Sequence, residues 1–173
     1  CDMHLSNFHD NYGFPVVFTR AANVYGPGQQ LYRIIPRTIL FIKTGRKLQL
    51  HGGGKSLRSF IHIGDVSKAT SQILTDAKSP NTYHLSTDQH VSIRELVELI
   101  CLRMEANFEE LVEISPDRPG KDAAYLLDSS KARDEFGWEP EVSLQKGIDE
   151  TISWVEDNFH DLSKEAMQYQ HKE

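Results

Sequence analysis

Four polar residues stand in contexts where ordinary surface chemistry would not put them. Asn23 lies in the stretch RAANVYGPG (20–28), at the lip of a turn that follows the apolar run Val16-Val17-Phe18. Arg58 sits inside LRSFIHI (57–63), Arg118 is set among prolines and a glycine in PDRPGKD (116–122), and Arg33 precedes Ile34-Ile35-Pro36. A guanidinium offers five N–H donors in a planar fork and can hold two phosphate oxygens at once. Surface arginines most often make ion pairs of small energetic value, so the residue type alone leaves both uses open. Three such arginines with an asparagine at a strand end, and no metal-ligand cluster beside them, point to a phosphorylated small molecule.

The elements that must position these residues follow from patterning. Residues 15–20 are short, β-branched and apolar on both alternations, as in a central parallel strand covered on both faces. Ligands in open α/β sheets gather outside the carboxyl ends of such strands, which is where Asn23 falls. Residues 1–11 read as a helix with Leu5 and Phe8 on one face, ended by Tyr12-Gly13. Residues 34–43 have helical spacing, and Gly45 stands as the C′ glycine. The alternation at 48–50 and the run 57–63 read as a hairpin or irregular strand pair around Gly52-Gly53-Gly54. Asp65 is expected to cap a helix carrying Val66, Ala69 and Ile73. Residues 83–86, 111–114 and 124–127 read as strands. Ser92-Ile93-Arg94-Glu95 has the pattern of a capping box ahead of a helix. A brief helix over 128–136 and a final one over 143–159, with Phe159 inward, complete an α/β chain with a polar tail from residue 163. Tyr25 and Trp138 are expected in packing roles; the acids at 105, 109 and 110 are expected on a solvated face.

Composition narrows the classes. The net charge of −6 argues against a sequence-independent nucleic-acid binder, which displaces counterions with a positive face. Two cysteines, Cys1 and Cys101, are too few and too far apart for a disulfide framework or a zinc site, and fit a reducing compartment. No apolar run approaches the ~20 residues of a membrane span, and no signal peptide is visible; a cytoplasmic location is the expectation.

Four stretches in order, TRAANVYGPGQ, GGGKSLRSFIHIGDV, YHLSTDQHVSIRELVELI and DRPGKDAAYLLDSSKARDEFGWEPEVSLQKGIDETISW, carry a resemblance. Over about residues 1–158 the chain resembles the extended short-chain dehydrogenase/reductase family, in its nucleotide-sugar branch of dTDP-glucose 4,6-dehydratase type. The resemblance implies the C-terminal part of a Rossmann-type NAD(P)-binding fold with a small α/β substrate-binding lobe. Residues 1–30 would be residual Rossmann helix and strand, 31–160 mostly substrate lobe with returning Rossmann elements, and 161–173 a polar tail. It implies further that Asn23 and Arg58 hold the substrate's diphosphate, that Arg118 closes on the nucleotide, and that Arg33 and Lys121 replace a family lysine and histidine. Gln49 and His51 fall where the family packs a Pro-x-Tyr segment on the base, and Ser92 is nearest to a family asparagine. Ala22 and Val24 fall beside the cofactor; Val24 replaces a second asparagine, so that side-chain contact to the nicotinamide is lost.

By the same resemblance the parent enzyme binds NAD, oxidises a nucleotide-linked hexose at C4, loses water across C5–C6 and returns the hydride at C6. It would act as a homodimer on a nucleotide-diphosphate sugar. The sequence contains no Gly-x-x-Gly-x-x-Gly, the phosphate-cradling turn of a dinucleotide site. None of its six tyrosines has a lysine four residues on, the family's catalytic pair. The chain is therefore expected to begin just past the catalytic lysine and to contribute positioning of substrate rather than bond chemistry. A nucleotide-sugar 4-epimerase or decarboxylase on the same scaffold, and a non-catalytic binding module, stand as the alternatives.

Overall fold

A computed structural model of the chain describes residues 1–117, 120 and 122–165. Along the sequence run helix α1 (Asp2–Tyr12), strands β1 (Val17–Ala21) and β2 (Asn23–Tyr25), and helix α2 (Ile34–Thr44). Next come β3 (Leu48–His51), a 3-10 turn at Gly52–Gly54, β4 (Leu57–His62), α3 (Ile63–Asp76) and β5 (Asn81–Leu85). The chain continues through β6 (His90–Ser92), α4 (Ile93–Arg103), α5 (Phe108–Leu111), β7 (Val112–Ser115) and β8 (Ala124–Tyr125). It ends with α6 (Ser130–Phe136), α7 (Leu144–Asp157) and α8 (Phe159–Leu162). Two compact units are interleaved along it: Cys1–Val24, Ser59–Gln89 and Leu126–Val142 form one, and Tyr25–Arg58, His90–Tyr125 and the segment from Ser143 onward form the other.

In the first unit β1 pairs in parallel with β5, with Val17 opposite Asn81 and Ala21 opposite Leu85. The apolar core joins Ile61, Ala69, Ile73, Tyr83, Leu85, Ala132 and Trp138. Complete burial of an aliphatic or aromatic side chain stabilises by roughly 1.5–3 kcal/mol, so this cluster is what holds β5 against α3 and α6. Tyr83 satisfies its buried hydroxyl by donating to Glu135 at 2.6 Å. Burial, then that bond, pushes its phenol up to about 12. The expected cover on both faces of β1 is not found: Thr19 and Arg20 are exposed, and Arg20 pairs with Asp2. The apolar run that predicted it ends at Phe18; Thr19 and Arg20 are polar, and Ala21 returns to the apolar cluster.

One carboxylate organises the exit from this unit. Asp65 was expected as an N-cap, yet α3 begins at Ile63 with His62 as its cap, whose Nδ1 accepts from the Gly64 N–H at 3.3 Å. Asp65 is thereby left in the first turn, 3% exposed, and its two oxygens accept from the backbone N–H groups of Glu141 and Val142 at 3.0 and 3.1 Å. Its own carbonyl accepts from the indole of the buried Trp138 at 3.3 Å.

In the second unit β3 and β7 are parallel neighbours, in register from Leu48 opposite Val112 to His51 opposite Ser115. The expected hairpin between residues 48–50 and 57–63 does not form. The three glycines turn with φ of +60°, +67° and +71°, so β3 leaves for β7 and β4 joins a separate sheet ordered β2-β4-β6, with β8 pairing β4. Side chains other than glycine rarely adopt that left-handed region. Ser92 and Glu95 make the full capping box of α4, and Leu96, Val97 and Ile100 are fully buried behind it. Gly45 ends α2 as expected.

Sequence patterning did not separate β6 and α5 as elements. The final helix stops at Asp157, short of the expected 159. There Asn158 turns its side-chain amide onto the Trp154 carbonyl at 2.8 Å, a competition with helical bonding common for asparagine. Phe159, expected inward, is only partly buried and lies under Lys43. Tyr25 packs as expected: it is 2% exposed and lies on α7, where a Cβ at Gly147 would come within 2.3 Å of its hydroxyl.

Replacing Asp65 by Ala strands two backbone donors, each costing about 1–3 kcal/mol where burial excludes water. We expect a loss of roughly 2–4 kcal/mol for Asp65→Ala by chemical denaturation, and about half of that for Asp65→Asn, which keeps one acceptor. Equal losses would show that the charge, not the two-point geometry, is what matters.

Candidate functional site: a basic strand start and a tethered loop

The residues predicted to bind substrate divide between the units. In the first, Asn23 opens β2 and is half-buried; its side-chain amide donates to the Ser59 carbonyl at 3.0 Å. This bond fixes the orientation of the amide and leaves its oxygen turned elsewhere. Ala22 is buried, donating its backbone N–H to the Leu85 carbonyl at 2.9 Å, and Val24 packs on the same apolar cluster.

In the second unit Arg33 is the N-cap residue of α2, exposed, with its guanidinium over the Tyr32 ring at 5.3 Å. Gln49 is exposed in the middle of β3, between the buried Leu48 and Leu50. His51 ends β3 at the carboxyl end of the parallel pair, and its Nδ1 lies 2.7 Å from the Ser115 hydroxyl and 3.3 Å from the Pro116 carbonyl. Arg58 opens β4. Its guanidinium donates to the Leu57 carbonyl at 2.7 Å and to the Asp122 carbonyl at 3.0 Å. The Leu57 N–H donates to the Ala123 carbonyl at 2.9 Å, next to the parallel pairing of β4 with β8. Ser92 spends its hydroxyl on the Glu95 N–H.

The geometry therefore brings His51 and Arg58 to one segment of chain, that between β7 and β8. Arg118 and Lys121 belong to this segment in sequence and lie outside the described residues. Ser115 and Asp117 were missed by sequence reasoning: Asp117 stands directly before Arg118, and its carboxylate lies against Gly52, whose added Cβ would meet its Cγ at 2.5 Å. The available signal was the glycine triplet, since a turn built wholly of glycine often marks close approach of another group. Among the described residues no group of three His, Cys, Asp or Glu could hold a metal ion. No helix among them is long and apolar enough to cross a membrane.

A family model described as GDP-mannose 4,6 dehydratase matches residues 1–151. The chain belongs to this dehydratase family. Within it, the chain is 35% identical over 161 residues to the dTDP-D-glucose 4,6-dehydratase of Mus musculus, covering 90% of this chain and 45% of that protein. The enzyme of the same name from Xanthomonas campestris is 32% identical over 155 residues, with 85% of this chain and 44% of the relative covered. The chain thus spans about half the length of the curated relatives it matches.

Solved structures agree on the fold. The dTDP-glucose 4,6-dehydratase DesIV of Streptomyces venezuelae, solved with NAD, superposes with a TM-score of 0.87 at 30% identity, over 92% of this chain and 49% of that one. A Thermotoga maritima UDP-glucose 4-epimerase, solved with UDP-glucose, gives 0.85 at 25% identity, over 91% of this chain and 51% of that one. The dehydratase-family chain is accordingly a mixed α/β protein of Rossmann type.

The donor set of this chain does not by itself make a dinucleotide site. Ala22 and Val24 offer apolar side chains packed in the core, and the sequence lacks the glycine turn that would receive a pyrophosphate.

For Asn23, removing the amide should cost about 1 kcal/mol. Asn23→Asp should cost more than Asn23→Ala, because a carboxylate would face the Ser59 carbonyl with no hydrogen to offer. Denaturation midpoints of the two variants test the ranking; equal midpoints would place the amide's importance elsewhere.

Proposed function

We propose that this chain is the substrate-binding part of an NAD-dependent nucleotide-sugar 4,6-dehydratase and that it grips the nucleotide diphosphate. The observation that carries the reading is Arg58: a forked cation near the start of β4, in the family segment GGGKSLRSF, bonded to the Asp122 carbonyl directly after Lys121 in the sequence. Its partners are two backbone carbonyls, which a more strongly charged phosphate can replace. Asn23, Arg33, Gln49 and His51 would complete the contacts to diphosphate, sugar and base. NAD is the cofactor of the parent enzyme in this reading, with Ala22 and Val24 beside it. The parent would hold its substrate in a reacting geometry, which is the share of catalysis this half can supply. A cytoplasmic enzyme fits the unpaired thiols of Cys1 and Cys101.

The likeness to a UDP-glucose 4-epimerase at a TM-score of 0.85 favours a second reading, a 4-epimerase on the same scaffold. The replacements at Gln49, His51 and Val24 keep that alternative open. A homodimeric parent is also proposed. Helix α1 has no buried residue, and Phe8, Tyr12 and Phe14 are exposed around a depression of about 500 Å³ that Gly13 and Pro15 complete. An apolar face of this kind suits a second copy of the chain.

Two measurements test the proposal. The purified 173-residue chain should show no NAD-dependent turnover of any nucleotide sugar, since it carries neither the dinucleotide turn nor the Tyr-x-x-x-Lys pair; formation of a 4-keto-6-deoxy sugar would overturn it. Arg58→Ala should lower the calorimetric affinity for dTDP about tenfold or more, the worth of a charge-assisted contact. Arg58→Lys should recover only part of this, because it keeps the charge and loses the fork. A fall in melting temperature with affinity unchanged would assign Arg58 to the Asp122 tie alone.

A further inference from the structure

Strand β8 carries one side chain that the packing of its unit does not account for. Tyr125 is 48% exposed, and among the described residues neither its ring nor its hydroxyl has a partner. The strand is held by its backbone instead. The Leu57 N–H donates to the Ala123 carbonyl at 2.9 Å, and Leu57 and Arg58 then lie opposite Ala124 and Tyr125 in a parallel ladder. An exposed tyrosine is ordinary by itself. The register sets this one apart.

Successive side chains of a strand point to opposite faces, and facing residues of a ladder point to the same one. Arg58 and Tyr125 therefore rise together, while Leu57 and Ala124 share the other face. Neighbouring strands lie about 4.8 Å apart, which sets a guanidinium and a phenol of similar reach side by side. The two do not stack on each other. The Arg58 guanidinium turns to the Leu57 and Asp122 carbonyls, at 2.7 and 3.0 Å, and makes no contact with the Tyr125 ring. The phenol is thus a second donor beside the cation, uncharged and uncommitted. A diphosphate offers several charged oxygens to such a pair. An O–H donor to a charged oxygen makes a bond roughly twice as strong as one to a neutral acceptor.

We propose that Tyr125 is a substrate-binding residue whose hydroxyl donates to the same diphosphate that Arg58 grips. This rests on the diphosphate-binding reading above and deepens it by one contact. Arg58 supplies charge and a fork, and Tyr125 supplies a single directed hydrogen bond on the next strand. The ring holds that hydroxyl above the ladder, and only two side-chain torsions have to be fixed when the ligand arrives.

Two variants at this position separate the hydroxyl from the ring. In calorimetric titration of the 173-residue chain with dTDP, Tyr125→Phe should weaken binding by about three- to tenfold, the worth of a hydrogen bond to a charged acceptor. Tyr125→Ala should add no more than about twofold to that loss. The melting temperature of Tyr125→Phe should match that of the unmutated chain, because the hydroxyl has no described partner to lose. Full affinity in Tyr125→Phe with a loss in Tyr125→Ala would assign the ring to stacking and overturn the proposal. A lowered melting temperature in Tyr125→Phe with affinity unchanged would overturn it too. If Arg58→Ala loses affinity and Tyr125→Phe does not, the diphosphate reading stands and this contact falls. Absence of dTDP binding by the unmutated chain would overturn both.

Discussion

The second unit depends on a glycine turn that refuses to make a hairpin. The alternation of residues in β3 and β4 suggests a hairpin, and a hairpin would need a tight turn at residues 52–54. Three successive positive φ values instead carry the chain out of the β3 direction, so β3 finds β7 and β4 finds β8. Both new partnerships are parallel, and they bracket the same segment. The positions of His51 at one strand end and Arg58 near another strand start, each bonded to described residues between β7 and β8, follow from that divergence.

The two units solve a similar problem in different media. Asp65 is buried, and two backbone N–H groups point at its oxygens. In a low-dielectric setting such bonds are strong and their loss is expensive, which suits a joint that must not open. Asp117 is exposed, and water competes for its oxygens. A tie of that kind is weaker and shape-dependent. The first ties α3 to residues 141 and 142; the second rests an exposed carboxylate on a glycine turn.

Much of the architecture was legible in the residues. The C′ glycine of α2, the capping box of α4 and the burial of Tyr25 and Trp138 all follow from local chemistry, and local chemistry is what sequence displays directly. The errors arose where a distant partner decides. Asp65 is a plausible cap until His62 takes that position and Glu141 and Val142, over seventy residues on, claim the carboxylate. The β3–β7 pairing is invisible in the alternation of residues 48–50, which describes a strand without saying whose neighbour it is. The site was partly legible for the same reason. Arg58 stood out as a charge in an apolar run, whereas nothing in the sequence marked the approach of Asp117 to Gly52.

The contact between Tyr25 and α7 has a consequence for how this part of the fold can change over time. A glycine inside a helix costs roughly 0.5–1 kcal/mol relative to alanine, so Gly147 is a poor choice for α7 taken alone. The ring of Tyr25 occupies the room a methyl group would need. Each residue is thus the condition of the other. A lineage that shrinks the ring removes the reason for the glycine, and one that gains a methyl group at 147 must first lose the ring. The two positions, 122 apart in sequence, are sterically coupled, so a change at either one alters what the other can accommodate.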